Sequence, residues 1–238
     1  LEKIVEKELL KSHQPRPIEL LCLASYKALH EYSWSELVRI PHELDTIVKR
    51  QIRDFNEEHR LVDTIPKLKN TVSNNVSIAV RQQYEENPYP RWVICNHLKT
   101  PKSIRELVKS IKLNVNEQIL PKTLAPEILV AGCGTGRHPI GSASRLEKSN
   151  VLAIDLSLAS LAFAKRKTIE MGINNVSYMQ ADILDLSDLG KQFDVIESCG
   201  VLHHLDQPME GWRALTNCLK QGGLMRIGLY SAIARRDI

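Results

Sequence analysis

Gly132, Gly134 and Gly136 stand at alternate positions directly after the apolar run Ile128–Ala131, in the stretch EILVAGCGTG. Glycine accepts positive φ and lets a ligand lie against bare backbone, so this pattern suits a turn that holds a small anionic or polar cofactor. Its G-x-G-x-G spacing differs from the G-x-G-x-x-G of dinucleotide-binding turns. Asp155 lies 23 residues beyond Gly132 and closes a second apolar run. A carboxylate at that distance is placed to accept hydrogen bonds from a ribose diol. Asp182 follows a third run, where its side chain offers an acceptor to an exocyclic amine and Ile183 offers an apolar wall to a base. Together these residues point to a ligand that carries a nucleoside.

Such residues must be held by strands and helices, and the chain supplies them in alternation. Ile128–Ala131 suits a strand buried on both faces, and Pro139 fits the first turn of the helix that follows. Val151–Asp155, Val176–Gln180, Phe193–Ser198 and Leu224–Tyr230 read as four further strands. Ser157 can cap the helix after the second, which closes on Lys165, Arg166 and Lys167 and stops at Gly172. Pro208–Leu219 carries Trp212, Leu215 and Leu219 on one side of another helix. Strands alternating with helices predict an α/β fold with a doubly wound parallel sheet, whose ligand sits at the carboxyl ends of the strands.

Upstream, the pattern from Leu1 to about Phe55 is helical, with Leu44, Ile47, Val48, Ile52 and Phe55 on one face. Pro15 and Pro17 part a first helix from a second over Ile18–His30. These helices either pack on one another or the later domain, or are a remnant of a helical repeat array. Glu57–Asn75 is polar, contains Pro66 and reads as a linker; a helix resumes at Val76. It runs into QYEENPYPRW, where Pro88 and Pro90 stiffen a segment that gathers Tyr84, Tyr89 and Trp92 in a chain only 5% aromatic. That segment is either a clasp or a lid over the ligand. Ser103 and Glu106 form a capping-box pair ahead of the apolar stripe Ile104, Leu107, Val108 and Ile111. The expected divisions are a helical connector over residues 1–75, a lid or clasp and helix over 76–112, and the parallel-sheet domain over 113–238.

The 238 residues, 43% of them hydrophobic, suffice for a sizeable core. A formal charge of +4, from 32 basic and 28 acidic residues scattered along the chain, argues against nucleic acid as a partner. Cys22, Cys95, Cys133, Cys199 and Cys218 include no C-x-x-C pair, so neither a disulfide framework nor a metal site is expected, and a cytoplasmic setting fits. No apolar run is long enough to span a membrane. The start on Leu1 suggests a chain that begins inside a longer protein.

With the glycine turn, Asp155 and Ala181-Asp182-Ile183 in place, the stretch from Glu127 to Tyr230 resembles the class I S-adenosylmethionine-dependent methyltransferases. The resemblance implies a Rossmann-like fold and S-adenosyl-L-methionine as cofactor. It places the methionine part against Ala131, Gly132, Cys133, Gly134 and Gly136, the ribose on Asp155 beside Leu156, and the adenine on Ala181, Asp182 and Ile183. Tyr84 or Tyr89 is expected over the pocket and Cys199 at its rim as a small packing residue. His203 and His204, in the loop after the fourth strand, are the candidates for a catalytic base, with a structural contact to the cofactor or the loop backbone the favoured reading of His203. That loop lacks the Asn/Asp-Pro-Pro-aromatic signature of base amino-methylation. Val130 stands where many members carry an acid, which leaves room for a module that binds partners without catalysis; an NAD-dependent oxidoreductase is the other rival. The acceptor, a small molecule or a protein side chain, is not legible. Val80–Trp92 further resembles the junction of bacterial proteins that join tetratricopeptide repeats to a methyltransferase domain, which implies a protein partner through repeats absent from this chain. By the same resemblance, two further strands are expected after the fifth.

Overall fold

The computed structural model describes residues 1–39, 42–68, 75–95 and 100–231. It divides into two compact units, Leu1–Leu61 and Val62–Ile238. In the first, helices α1 (Glu2–Leu10) and α2 (Pro17–Tyr26) are followed by short 3₁₀ turns and then by α3 (Asp45–Val48), a π-helical turn (Lys49–Arg53) and α4 (Asp54–Val62). Val5, Leu20, Leu29, Tyr32, Trp34 and Val48 are among the buried residues of its core. Three expectations change here. The second helix stops at Tyr26, because Lys27 and Ala28 turn extended and send Leu29 into the core. The stripe expected through Phe55 ends at Ile52: the π turn adds an extra residue to the rotation, so Phe55 leaves the buried face and stacks 3.6 Å from His30. The supposed linker from Glu57 is helical as far as Val62. Its stretch 69–74 lies outside the described residues, as do residues 40–41, 96–99 and 232–238.

The second unit is built on five strands, β1 (Glu127–Ala131), β2 (Asn150–Asp155), β3 (Val176–Gln180), β4 (Phe193–Cys199) and β5 (Leu219–Gly228). They form one sheet in the order β3-β2-β1-β4-β5, and every pairing is parallel. Helix α5 (Asn75–Glu86) and α6 (Ile104–Ser110) precede the sheet; α7 (Arg137–Arg145), α8 (Leu158–Glu170) and α9 (Pro208–Asn217) connect its strands. Ile128, Leu129, Val130 and Ala131 are all fully buried, as a central parallel strand covered on both faces requires. Each of the three larger side chains, Ile128, Leu129 and Val130, contributes about 1.5–3 kcal/mol on burial.

The expected caps are present. The Ser157 hydroxyl accepts from the Ser160 amide at 3.0 Å, and Ser103 and Glu106 exchange hydrogen bonds as a capping box. β5 starts at Leu219 rather than Leu224, since the glycine turn Gln221–Gly223 is absorbed into the strand with a register irregularity against β4. The strand order changes direction between β1 and β4, and the loops after β1 and β4 lie side by side there. A Cβ on Gly132 would come within 2.3 Å of the Val201 side chain, so only glycine, at its φ of +72°, allows the two loops to close.

Candidate functional site

At the carboxyl ends of these strands lies a cavity of about 380 Å³, within the size range of small-molecule sites. It is lined by Gly132, Cys133 and Gly134 after β1, Asp155 and Leu156 after β2, Ala181, Asp182 and Ile183 after β3, and Cys199 and His204 after β4. Tyr84 and Tyr89 line it from the preceding segment. Of the residues expected at the site, Ala131, Gly136 and His203 are not on the cavity wall. Ala131 is buried within β1, and Gly136 abuts α8, where a Cβ would meet that of Ala164 at 2.4 Å. The His203 ring packs between His204 and Tyr230 at centroid distances of 4.2 and 4.1 Å.

Asp155 is fixed by backbone. One carboxylate oxygen accepts from the Gly134 amide at 2.7 Å and the other from Ser157 at 3.1 Å. Burial raises its pKa above the usual aspartate value, against the pull of these amides. Asp182 uses one oxygen to cap the turn beginning at Ile183, accepting from Leu184 at 3.0 Å. Its other oxygen is buried without a hydrogen-bond partner among the described residues. A buried acceptor without a donor costs free energy, and Asp182 is one of the residues that line the cavity. A Cβ on Gly134 would meet nothing, so this glycine leaves open space over the loop. These features fit a nucleoside whose ribose hydroxyls and amino group are donors.

The segment from the end of α5 to Trp92 is pinned at both ends. The Glu85 carboxylate accepts from the first amides of α8, Leu158 at 3.1 Å and Ala159 at 2.7 Å, as well as from the Ser157 hydroxyl at 3.2 Å. At the other end, Trp92 is buried and donates its indole N–H to the Thr135 carbonyl at 2.9 Å, while the Thr135 hydroxyl donates to the Pro90 carbonyl at 2.7 Å. Trp92 also packs edge-on against Phe163, 5.7 Å between centroids. The clasp and the cavity wall thus coexist in one segment: Trp92 clasps, and Tyr84 and Tyr89 face the cavity.

Sequence reasoning missed Arg137, His138 and Glu197. Arg137 and His138 open α7 and line the cavity. Glu197 sits inside β4, buried, with its carboxylate 2.6 Å from Arg145, 3.2 Å from His138 Nε2 and hydrogen-bonded by the Ser142 hydroxyl. Burial alone would raise its pKa; His138, Arg145 and Ser142 overcome that and hold it at about 2. A carboxylate in the interior of the strand FDVIESC was the available signal, and the helix that neutralises it was not identifiable from spacing. Among the described residues no cluster of side chains could hold a metal ion, and no helix is long and apolar enough to cross a membrane.

Residues 128–223 match the family model described as a methyltransferase domain. An uncharacterized protein of Synechococcus sp. is 36% identical over 119 residues, covering 50% of this chain and 28% of its own. The ubiquinone biosynthesis O-methyltransferase of Pseudomonas syringae pv. tomato is 34% identical over 98 residues, 41% of each chain. Among solved structures, PKMT2 from Rickettsia typhi in complex with AdoHcy is similar at 27% identity with a TM-score of 0.46, covering 58% of this chain and 26% of that one. The chain therefore spans less than half the length of these proteins.

Proposed function

We propose that the unit Val62–Ile238 binds S-adenosylmethionine and transfers its methyl group to an acceptor, a small molecule or a protein side chain. The observation that carries this reading is the convergence on one cavity of a glycine turn, Asp155 and Asp182, from the ends of three adjacent strands. The match of residues 128–223 to a methyltransferase domain supports it. Asp155, already oriented by Gly134 and Ser157, accepts from the ribose hydroxyls; Asp182 accepts from the adenine amino group between Ala181 and Ile183. The bound cofactor supplies a methyl group activated by its sulfonium, so the chain's task is to hold the acceptor in line with it and keep water out. Tyr84 and Tyr89 serve that exclusion. His204, on the cavity wall, takes the acceptor's proton, and His203 backs its ring. The likeness of Val80–Trp92 to repeat-linked methyltransferases supports a further reading of Leu1–Leu61 as a connector to partner-binding repeats in a cytoplasmic protein.

Isothermal titration with S-adenosylhomocysteine and with NADH tests this reading. Heat with the first and none with the second is expected. Asp155→Ala should weaken S-adenosylhomocysteine about 10- to 150-fold, the scale of a hydrogen bond to a charged group. An unchanged dissociation constant in a folded Asp155→Ala protein, or binding of NADH alone, rejects the proposal.

A further inference from the structure

The charged residues of the cavity wall are sorted by sign. Along the carboxyl edge of the sheet, Asp182 follows β3 and Asp155 closes β2, whereas Arg137 and His138 follow β1 and His204 follows β4. One end of the cavity is acidic and the other is basic. The acidic end suits the donors of a nucleoside, which leaves the basic end for another part of the ligand.

Arg137 is exposed and, among the described residues, has no hydrogen bond or ion pair. Arg145, two turns further along α7, is instead committed to Glu197 at 2.6 Å, and Arg226 approaches the same carboxylate at 3.8 Å. The buried acid therefore has its countercharges without Arg137. Glu197 also lies 3.2 Å from Nε2 of His138, so the imidazole beside Arg137 is fixed in place while its side chain remains 25% exposed. A guanidinium presents a planar fork that matches a carboxylate with two parallel hydrogen bonds. We propose that Arg137, flanked by the Glu197-anchored His138, forms a carboxylate-recognition subsite at the basic end of the cavity. This rests on the nucleoside reading of Asp155 and Asp182 above. Two sources offer that chemistry: the amino-acid carboxylate of the cofactor, or a carboxylate on the acceptor.

Titration of the full chain and of Arg137→Gln separates them. S-adenosylhomocysteine carries the amino-acid carboxylate; 5′-methylthioadenosine keeps the nucleoside and sulfur and lacks it. If the source is the cofactor, Arg137→Gln weakens S-adenosylhomocysteine about 10- to 100-fold, the loss of a charge-assisted pair, and leaves 5′-methylthioadenosine within about twofold. Arg137→Lys should recover only part of the loss, since it keeps the charge and not the fork. If S-adenosylhomocysteine is indifferent to the change, the S-adenosylhomocysteine-loaded protein is titrated with benzoate, whose binding must then depend on Arg137. Indifference of both ligands to Arg137→Gln overturns the subsite. Failure of the unsubstituted chain to bind either nucleoside overturns the methyltransferase reading instead. An unchanged melting temperature in Arg137→Gln, expected for an exposed side chain, shows that the fold is not the cause.

Discussion

Glu197 is the residue on which the sheet's electrostatics turn. Its pKa of about 2 in the fold lies below the ordinary value of 4.5, so it contributes stability that is fully present above pH 4.5 and is lost as the pH falls towards 2. Glu197→Gln should flatten the acid limb of the stability curve in that window. At neutral pH it leaves Arg145 facing an uncharged amide, and a broken buried pair of this kind costs about 3–5 kcal/mol. Chemical denaturation from pH 7 down to pH 2 reads both effects; a variant whose stability parallels the parent throughout refutes the role. Asp155 behaves in the opposite sense. Burial raises its pKa, so its carboxylate is lost at a higher pH than an ordinary aspartate's, and affinity for S-adenosylhomocysteine should fall first on that limb. Asp155 and Asp182 were legible because strand ends are marked by runs of apolar residues. Glu197 was not, because its significance depends on His138, Ser142 and Arg145 facing it from α7, and Arg137 was not, because its place on the cavity wall depends on the turn into α7.

At the scale of elements, the segment from α5 to Trp92 acts through its two pins. Glu85 supplies the carboxylate that satisfies the first amides of α8, and the Ser157 amide in the same turn holds Asp155. Glu85→Ala removes those acceptors and should cost about 0.5–2 kcal/mol, the range of a helix cap. Hydrogen exchange should accelerate at Leu158 and Ala159, with a weaker S-adenosylhomocysteine complex as the accompanying result. Unaltered exchange at both amides would show that the pin is not holding. The strands and most helices were readable from apolar runs, caps and glycine stops. Three departures have local causes that hydrophobic period does not encode: a π turn that rotates Phe55 off its face, an extended Lys27-Ala28 step, and a glycine turn drawn into β5. Proline and aromatic content marked Gln83–Trp92 as a docking segment. The choice between clasp and lid needed the partners of Trp92 and Tyr84.

At the scale of the molecule, every residue that lines the cavity comes from Ser77 onward, within the unit Val62–Ile238. Leu1–Leu61 has its own buried core. A chain beginning at Val62 should therefore bind S-adenosylhomocysteine with a dissociation constant within about threefold of the full chain, less than 1 kcal/mol. A larger loss, in a shortened chain that still melts cooperatively, would show that the helical unit contributes to the ligand complex.

The strand order also governs when the cavity comes into being. Ile128 pairs on one side with Val151 and on the other with Val195. The residues of the acidic wall, from β1 to β3, thus all precede β4 in the chain, whereas the Gly132–Val201 contact needs the loop after β4. Non-local parallel pairing is slow because loop closure precedes its reward. If the sheet forms as the chain is made, Asp155 and Asp182 are available before the loop after β4, an order that pulsed hydrogen exchange on chains ending at Asp182 and at Cys199 would test.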